Sequence, residues 1–572
     1  MTQASSTDLS ASAPPHAWAP APAPSAPIAA AARAFGDDYP GLTGQWRVKV
    51  AGLLLLLTTV LYVPWMLRSL DAHLPWLAYP FAAANLYSLL YGLVSVANAW
   101  QRRVPPRRPL PAGDEPGVAV IIPTCGESVP MILRTIVSVL GQDWPAERLT
   151  VIVSDDGHDP ALEAALAAYP VRYHEPPPRD APGRDGAAKA GNLNSAVALL
   201  DAEYPDIRYI ETRDADDELG SDGFLRQVVG QLEARWGLAF VQTIKEAQVS
   251  AGDPFNNRES MFYRGQMLAR NAANAVFPCG SGVVWRRTAL REIGDFPTWN
   301  LVEDLQSGVE ALRRGWSGMY LPIVGAVGQH SPEDVPNVYK QRGTWAIDTV
   351  RLLIWGRLSG LTLRQRLHFA EMLMFYLNAF TVLVYLPSIA CSLLGYTPLA
   401  ATRAGYLGHM LPLVLATEVW LLVVNHPFYD RRRRQRRRLR ALWHVRIMWT
   451  GMAPIYMRAT VQAVLGGRTR KPVYRVTRKV DDVRWHWRHT LPQTGLVLAV
   501  FAVLVYAVGH QRVPSVSVLA GAVYWGGMNI ILLTGFVTRG WHGLGRVRSA
   551  VHGPSPLEGV IRATPEVVPE AS

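Results

Sequence analysis

The sequence predicts an α/β domain set between two groups of membrane-spanning helices. Three observations carry this. Apolar runs long enough to cross a bilayer, which takes about 20 residues of helix, occur near both ends of the chain. A long, mostly polar block separates them. Within that block, short β-branched runs alternate with helical patterns, the signature of a mainly parallel sheet with crossover helices.

The apolar runs are Val50–Met66, Leu77–Ala97, Phe369–Tyr396, Gly405–Val424, Leu491–Val508 and Val516–Val537. Two precede the polar block and four follow it. The chain has 572 residues, of which 49% are hydrophobic and 18% charged, lean in charge for a soluble protein of this size. Its formal net charge is +12. The basic residues concentrate in "QRRVPPRR" after the second run, "DRRRRQRRRLR" after the fourth and "TRGWHGLGRVR" after the sixth. A weaving chain puts all three on one side, which the positive-inside rule makes cytoplasmic. The polar block and both termini are then cytoplasmic too, and the chain is a multi-pass protein of the inner membrane. Placed there, the arginines read as anchors to anionic lipid headgroups, and no nucleic-acid partner is expected. Three scattered cysteines suggest neither a disulfide framework nor a zinc cluster.

The expected organisation is a disordered Ala/Pro-rich stretch over 1–45, two spans over 46–100 and the α/β domain over 101–365. Two spans follow over 366–425, then a basic interface segment over 426–490, two spans over 491–538 and a tail over 539–572. The stretch Leu439–Val464 has the amphipathic character of a helix lying on a membrane surface.

In the block, "GVAVIIP" (Gly117–Pro123), "LTVIVSDDG" (Leu149–Gly157) and "IRYIETRDADD" (Ile207–Asp217) read as strands with polar residues at their carboxyl ends. Ligands of parallel sheets bind beyond those ends. Thr124 and Glu127 follow the first strand, Asp155 and Asp156 the second, Asp214 and Asp216 the third. The stretch "IETRDADDEL" (Ile210–Leu219) carries five carboxylates in ten residues. Asp214 and Asp216 suit a hard cation such as Mg²⁺ or Mn²⁺ bridging to phosphates. Asp217 and Glu218 are assigned to solvent or to a following helix N-terminus.

Downstream, "FPCGSGVVWRR" (Phe277–Arg287) is a glycine-containing turn, and "NLVEDLQSGVEALRRGW" (Asn300–Trp316) opens a helix with Glu303 and Asp304. These acids read either as a helix cap or as a general base taking a hydroxyl proton. Gln341, Arg342 and Trp345 lie on a helical pattern approaching the membrane, as interfacial anchors or as groups that hold a diphosphate. Glu418, inside the fourth run, lines a channel or lies near an interface.

These pieces in this order resemble the processive membrane family 2 glycosyltransferases, which include bacterial cellulose and hyaluronan synthases. The matching segments are "IIPTCGE", "VSDDG", "KAGNLN" (Lys189–Asn194), "DAD", "VQT" (Val241–Thr243), "FPCGSG", "VED" (Val302–Asp304), "QRGTW" (Gln341–Trp345) and "RKPVYRVTRK" (Arg470–Lys479). The resemblance implies a GT-A-type fold and an inverting transfer of a hexose, UDP-glucose being the favoured donor, to a growing β-glycan that is exported. It places Thr124, Glu127, Asp155, Lys189, Asp214, Gln341, Arg342 and Trp345 on the UDP-sugar. It puts Cys279, Gly280, Ser281, Glu303 and Trp345 at the acceptor, Asp214 and Asp216 on Mg²⁺ or Mn²⁺, and Asp304 as general base. Implied partners are a glycan or lipid-linked acceptor, membrane lipids and export or periplasmic subunits. Two departures stand out: Thr344 where the family has Arg, and Val302 where it has Thr. The first keeps a non-processive transferase adding one sugar to a lipid in play. A non-catalytic scaffold is the third reading, against which Asp155, Asp214, Asp216 and Asp304 all stand.

Overall fold

The computed structural model describes residues 44–182, 184–186, 188–250, 252–425, 435–470, 484–510 and 516–542. Most of the two ends expected to be disordered, residues 430–434 of the arginine run after the fourth span and nearly all of Arg470–Lys479 lie outside them.

Eight strands form one sheet in the order β3-β2-β1-β4-β7-β6-β8-β5. They are β1 (Gly117–Thr124), β2 (Leu149–Asp155), β3 (Arg172–His174), β4 (Ile207–Thr212), β5 (Asp217–Leu219), β6 (Leu238–Ala247), β7 (Val283–Arg286) and β8 (Ser317–Gly328). From β3 to β4 every pairing is parallel. Beyond β4 the sheet is mixed, because β7 runs antiparallel to both β4 and β6, while β6 and β8 pair in parallel. The expectation of a mainly parallel sheet therefore holds for the first half only. The turn Pro278–Gly282 feeds β7 back in the opposite direction.

The residues of β1 suit an interior strand: Val118 to Ile122 are fully buried on both faces, as a strand covered by helices requires. The helix Ala188–Glu203 covers one face through Leu193, Ala196, Val197 and Leu200. The helix Val129–Leu140 covers the other through Ile132, Ile136 and Val139. Start signals are local. Asp159 accepts the Ala161 N–H at 3.0 Å to open Pro160–Leu166. Asp334 accepts the Asn337 N–H at 2.8 Å to open Val335–Trp355. Thr362 and Gln365 form a capping box before Leu363–Leu377.

Among the described residues, five helices are long and apolar enough to cross a membrane: Gln45–Arg68, Pro75–Ala99, Leu363–Leu393, Arg403–Val424 and Trp487–Gly509. The sixth predicted run is the 22-residue helix Val516–Val537. Leu53, Leu57, Val60 and Leu61 stand exposed on the first helix, the surface a bilayer covers. Between the sheet and these spans lie the helices Val335–Trp355 and Ala453–Gly466, packed against each other. Glu418 pairs with Arg446 of the helix Gln435–Gly451, so its partner is now known.

Candidate active site

The crevice lies beyond the carboxyl ends of β1, β2 and β4. At the first two ends, Asp155 is buried, and its oxygens accept from Thr124 Oγ1 (2.9 Å), Gly157 N (2.9 Å), Asp159 N (2.7 Å) and Tyr173 Oη (3.2 Å). The carboxylate thus ties β1 to β2 and shapes the loop after β2. Glu127 accepts the Cys125 N–H at 2.7 Å, holding the loop after β1. Asp156 takes Arg179 at 2.8 Å and Arg184 at 2.6 Å.

At the end of β4 the five carboxylates of the acidic stretch each meet a cation or enter the fold. Glu211 and Arg213 form a fully buried pair. Asp214 Oδ1 accepts from Lys189 Nζ at 2.5 Å and its Oδ2 from Lys245 Nζ at 2.6 Å. Lys245 also reaches Asp217 at 2.9 Å. Glu218 lies 3.9 Å from Arg134. Asp216 is 5% exposed. The assignment of Asp217 and Glu218 to solvent or a helix start is corrected. Both belong to β5, which pairs with β8 and draws them inside. Burial opposes the Asp214 charge, yet the two ammonium groups hold its carboxyl far below the usual range. Burial likewise works against the Lys189 charge, and Asp214 and Glu303 overcome it and raise its pKa.

Lys189 joins the two halves of the site. Besides Asp214 it donates to the Gly280 carbonyl at 3.0 Å and lies 3.6 Å from Glu303. Gly280 has φ +80°, and a Cβ there would meet Asp304 Oδ2 at 3.2 Å and Lys189 Nζ at 3.3 Å. A side chain at 280 would fill the space between acid and ammonium. The turn is pinned from β6: Gln242 accepts the Cys279 N–H at 2.7 Å and donates to the Ser281 carbonyl at 3.0 Å. Ser281 Oγ accepts the Asp214 N–H at 3.1 Å. Burial first, then Asp304, pushes the Cys279 thiol well above its ordinary pKa, so it is no thiolate nucleophile.

Asp304 sits in the first turn of the helix Glu303–Arg313, whose N-cap Val302 offers no side-chain cap. Asp304 Oδ1 accepts the Leu305 N–H at 2.6 Å. Its other oxygen, Oδ2, faces Gly280 and Lys189. Burial, and after it neighbouring Glu303, pushes the Asp304 carboxyl up to about 7. One oxygen of the carboxylate is thus held by the backbone and the other is turned toward the crevice. Asp348, on Val335–Trp355, accepts the Leu301 and Val302 N–H groups at 3.1 and 2.8 Å.

On that same helix Gln341 and Trp345 are one turn apart, Trp345 36% exposed. Arg342 turns elsewhere. It is buried and donates to the carbonyls of Phe255 (2.8 Å) and Asn256 (3.1 Å). Thr344 Oγ1 folds back onto the Lys340 carbonyl at 2.8 Å. The structure thus brings together Lys189, Asp214, Gly280, Ser281, Glu303 and Asp304, and engages Arg342 with the loop 253–259.

Residues 116–347 match the family model described as glycosyltransferase like family 2. That segment is similar to the glycosyltransferases of family 2. Cellulose synthase 2 of Novacetimonas hansenii is 31% identical over 63% of this chain and 23% of its own length. A UDP-forming cellulose synthase catalytic subunit of Komagataeibacter sucrofermentans is 28% identical over 63% of this chain and 48% of its own. The chain thus spans between about a quarter and a half of the curated relatives it matches. A mannosyltransferase from Pyrobaculum calidifontis, solved with GDP-Man and Mn²⁺, aligns with a TM-score of 0.46 at 18% identity, over 67% of this chain and 99% of that one. The chain's apolar helices and these relatives are those of a membrane protein, with the glycosyltransferase-like segment set between the helices.

Three residues of the transferase domain escape motif reading: Lys245, Asp348 and Arg184. Lys245 had a signal. It stands two places after Thr243 on β6, and strand alternation puts both on one face. Asp348 and Arg184 had none, since each acts across the fold.

Proposed function

We propose that this protein is an inverting glycosyltransferase that moves a hexose from a UDP-sugar, UDP-glucose foremost, to a growing β-glycan and feeds the product across the membrane. The observation that carries the reading is the Lys189 ammonium, which gathers the Asp214 carboxylate, the Gly280 carbonyl and Glu303 beside Asp304 into one crevice. A donor diphosphate at Asp214 and an acceptor hydroxyl at Asp304 would there share one space. The UDP-forming relative supports the donor class.

In this reading Asp304 Oδ2 takes the proton of the acceptor hydroxyl as that oxygen attacks the anomeric carbon on the face opposite UDP. An elevated pKa suits a group that must accept a proton near neutrality. Lys189 stands ready to offset charge on the departing diphosphate. Thr124, Glu127 and Asp155 build the wall that receives the uridine. Cys279, Gly280, Ser281 and Glu303 line the acceptor side, with Gln341 and Trp345 above them.

The residues present also fit a divalent cation, Mg²⁺ or Mn²⁺, on Asp214 and Asp216. Asp214 already holds two positive groups, so charge of that sign is stable at this position. Among the described residues no set of three or more His, Cys, Asp or Glu converges to hold a metal, so phosphate oxygens and water would complete the coordination. Such an ion supplies charge stabilisation for the leaving diphosphate. We place segments 46–100, 366–425 and 491–538 in the membrane, with 101–365 and both termini on the cytoplasmic side.

One observation favours a second reading, single transfer to a lipid acceptor. The two arginines of Val335–Trp355, Arg342 and Arg351, are both engaged by backbone carbonyls, and Thr344 is bonded within its own helix. The test is UDP release by the purified protein in nanodiscs, with a panel of UDP-sugars, Mn²⁺, Mg²⁺ or EDTA, and Asp304→Asn alongside. Metal-dependent turnover lost in the variant, with a high-mass product, supports the synthase. A one-sugar product selects the lipid transferase. A folded protein that binds no UDP sinks both.

A further inference from the structure

A cavity of about 620 Å³ lies apart from the catalytic crevice, at the carboxyl end of the helix Glu303–Arg313. Arg313, Arg314, Arg357 and Arg468 line it against a single carboxylate, Glu310. Glu310 is already claimed twice, by Arg313 at 2.7 Å and Arg314 at 2.8 Å. The lining therefore carries a surplus of positive charge. Its walls are set by the fold. Arg313 Nε donates to the Ser359 carbonyl at 2.8 Å, and Arg468 Nε to the Trp355 carbonyl at 2.9 Å. Trp299 Nε1 donates to the Arg468 carbonyl at 3.1 Å, which keeps one aromatic wall upright. Arg357 is exposed, in the loop between the helix Val335–Trp355 and the span Leu363–Leu393.

Exposed aliphatic side chains stand within a few residues of the lining. Leu363, at the start of that span, is 73% exposed, and Leu465, three residues before Arg468, is 79% exposed. Ile354, beside Trp355, is 38% exposed. The helices Leu363–Leu377 and Ala453–Gly466, which carry the two leucines, pack against each other. A basic pocket opening beside bare aliphatic side chains at the start of a membrane span is built for an anion with an apolar body. A soluble phosphate would use the arginines and leave the leucines unexplained.

We infer that this cavity is a binding site for the phosphate headgroup of an anionic membrane lipid, with its acyl chains lying over Leu363 and Leu465. Basic pockets on the cytoplasmic side of membrane helices take such headgroups, each arginine adding about 1 kcal/mol near the surface. The site touches the transferase domain through Glu303–Arg313 and the interface helix through Trp355, so the lipid would brace the domain against the bilayer.

The experiment is native mass spectrometry of the full chain in detergent, titrated with phosphatidylglycerol or with phosphatidylcholine. Phosphatidylglycerol should be retained in preference. Arg357→Gln should weaken that retention about fivefold, the equivalent of one lost arginine. Arg357→Lys should keep most of it. Because Arg357 is exposed, the melting temperature of the lipid-free protein should not move. The inference is overturned by equal retention of the two lipids, or by an Arg357→Gln variant that holds phosphatidylglycerol as the parent does. Inorganic phosphate that binds the protein while phosphatidylglycerol does not would assign the cavity to a soluble anion and overturn the lipid.

Discussion

The Asp348 carboxylate accepts the backbone N–H of Val302 at 2.8 Å, across 46 residues of sequence. The interface helix carrying Gln341 and Trp345 is thereby fastened to the turn that presents Asp304. Neither segment positions that turn alone, since Val302 gives the helix no side-chain cap.

Asp348→Ala should therefore loosen the turn and leave the buried N–H of Leu301 and the partly buried N–H of Val302 without this acceptor. Each unsatisfied buried donor costs about 1–3 kcal/mol. A melting temperature lowered together with kcat is the expected result, read by thermal unfolding and UDP release in detergent. Asp348→Asn keeps an acceptor oxygen and should fall between the two. An Asp348→Ala protein as stable and active as the parent would separate the helix from the turn that presents Asp304.

The proposed role of Asp304 as base predicts a pH profile. Asp304 has its carboxyl pushed up to about 7, so the proton-accepting form is present above that value and lost below it. Turnover should climb as pH rises through about 7 and level off beyond. Asp304→Asn should lower kcat by about 10²–10⁴, the usual weight of general-base catalysis, while UDP binding by calorimetry stays. A flat profile from pH 5.5 to 8.5 would remove Asp304 from this role.

For the cation, Asp216→Ala should raise the Mn²⁺ concentration needed for half-maximal turnover and weaken Mn²⁺ binding followed by electron paramagnetic resonance. EDTA should abolish turnover in the parent, and added Mg²⁺ or Mn²⁺ should restore it. Turnover that survives exhaustive chelation would leave Lys189 and Lys245 as the site's cations.

In the membrane region, Arg446→Ala strips Glu418 of its partner inside an apolar helix. An uncompensated charge at membrane depth costs about 2.5–3.5 kcal/mol on insertion scales. A clear drop in thermal stability should follow, with much of it recovered by Glu418→Gln in the same chain. No recovery would mean that Arg446 acts through another contact.

The alternating domain, the strand ends that hold Thr124, Asp155 and Asp214, and the apolar helices were legible because each rests on local periodicity. β1 reads as a buried strand from Val118 to Ile122 alone. The motif residues Lys189, Asp214, Gly280, Glu303 and Asp304 were legible too, though not their mutual arrangement. The sheet's mixed half was not, since nothing local says that β7 returns antiparallel beside β4. Asp217 and Glu218 were misread for a related reason: their burial depends on β8, about a hundred residues on, which turns an acidic tail into an edge strand.

The sequence by itself determined the residue types on the strand ends, the spans and the sign of the loops that flank them. These follow from hydrophobic spacing and charge, which act over a few residues. Only the tertiary structure decided which charges meet. It sent Arg342 to the carbonyls of Phe255 and Asn256, set two lysines on Asp214 and laid Asp348 under the Val302 turn. A buried charge keeps its ionisation only with a partner at hydrogen-bond distance, and chain topology alone selects that partner.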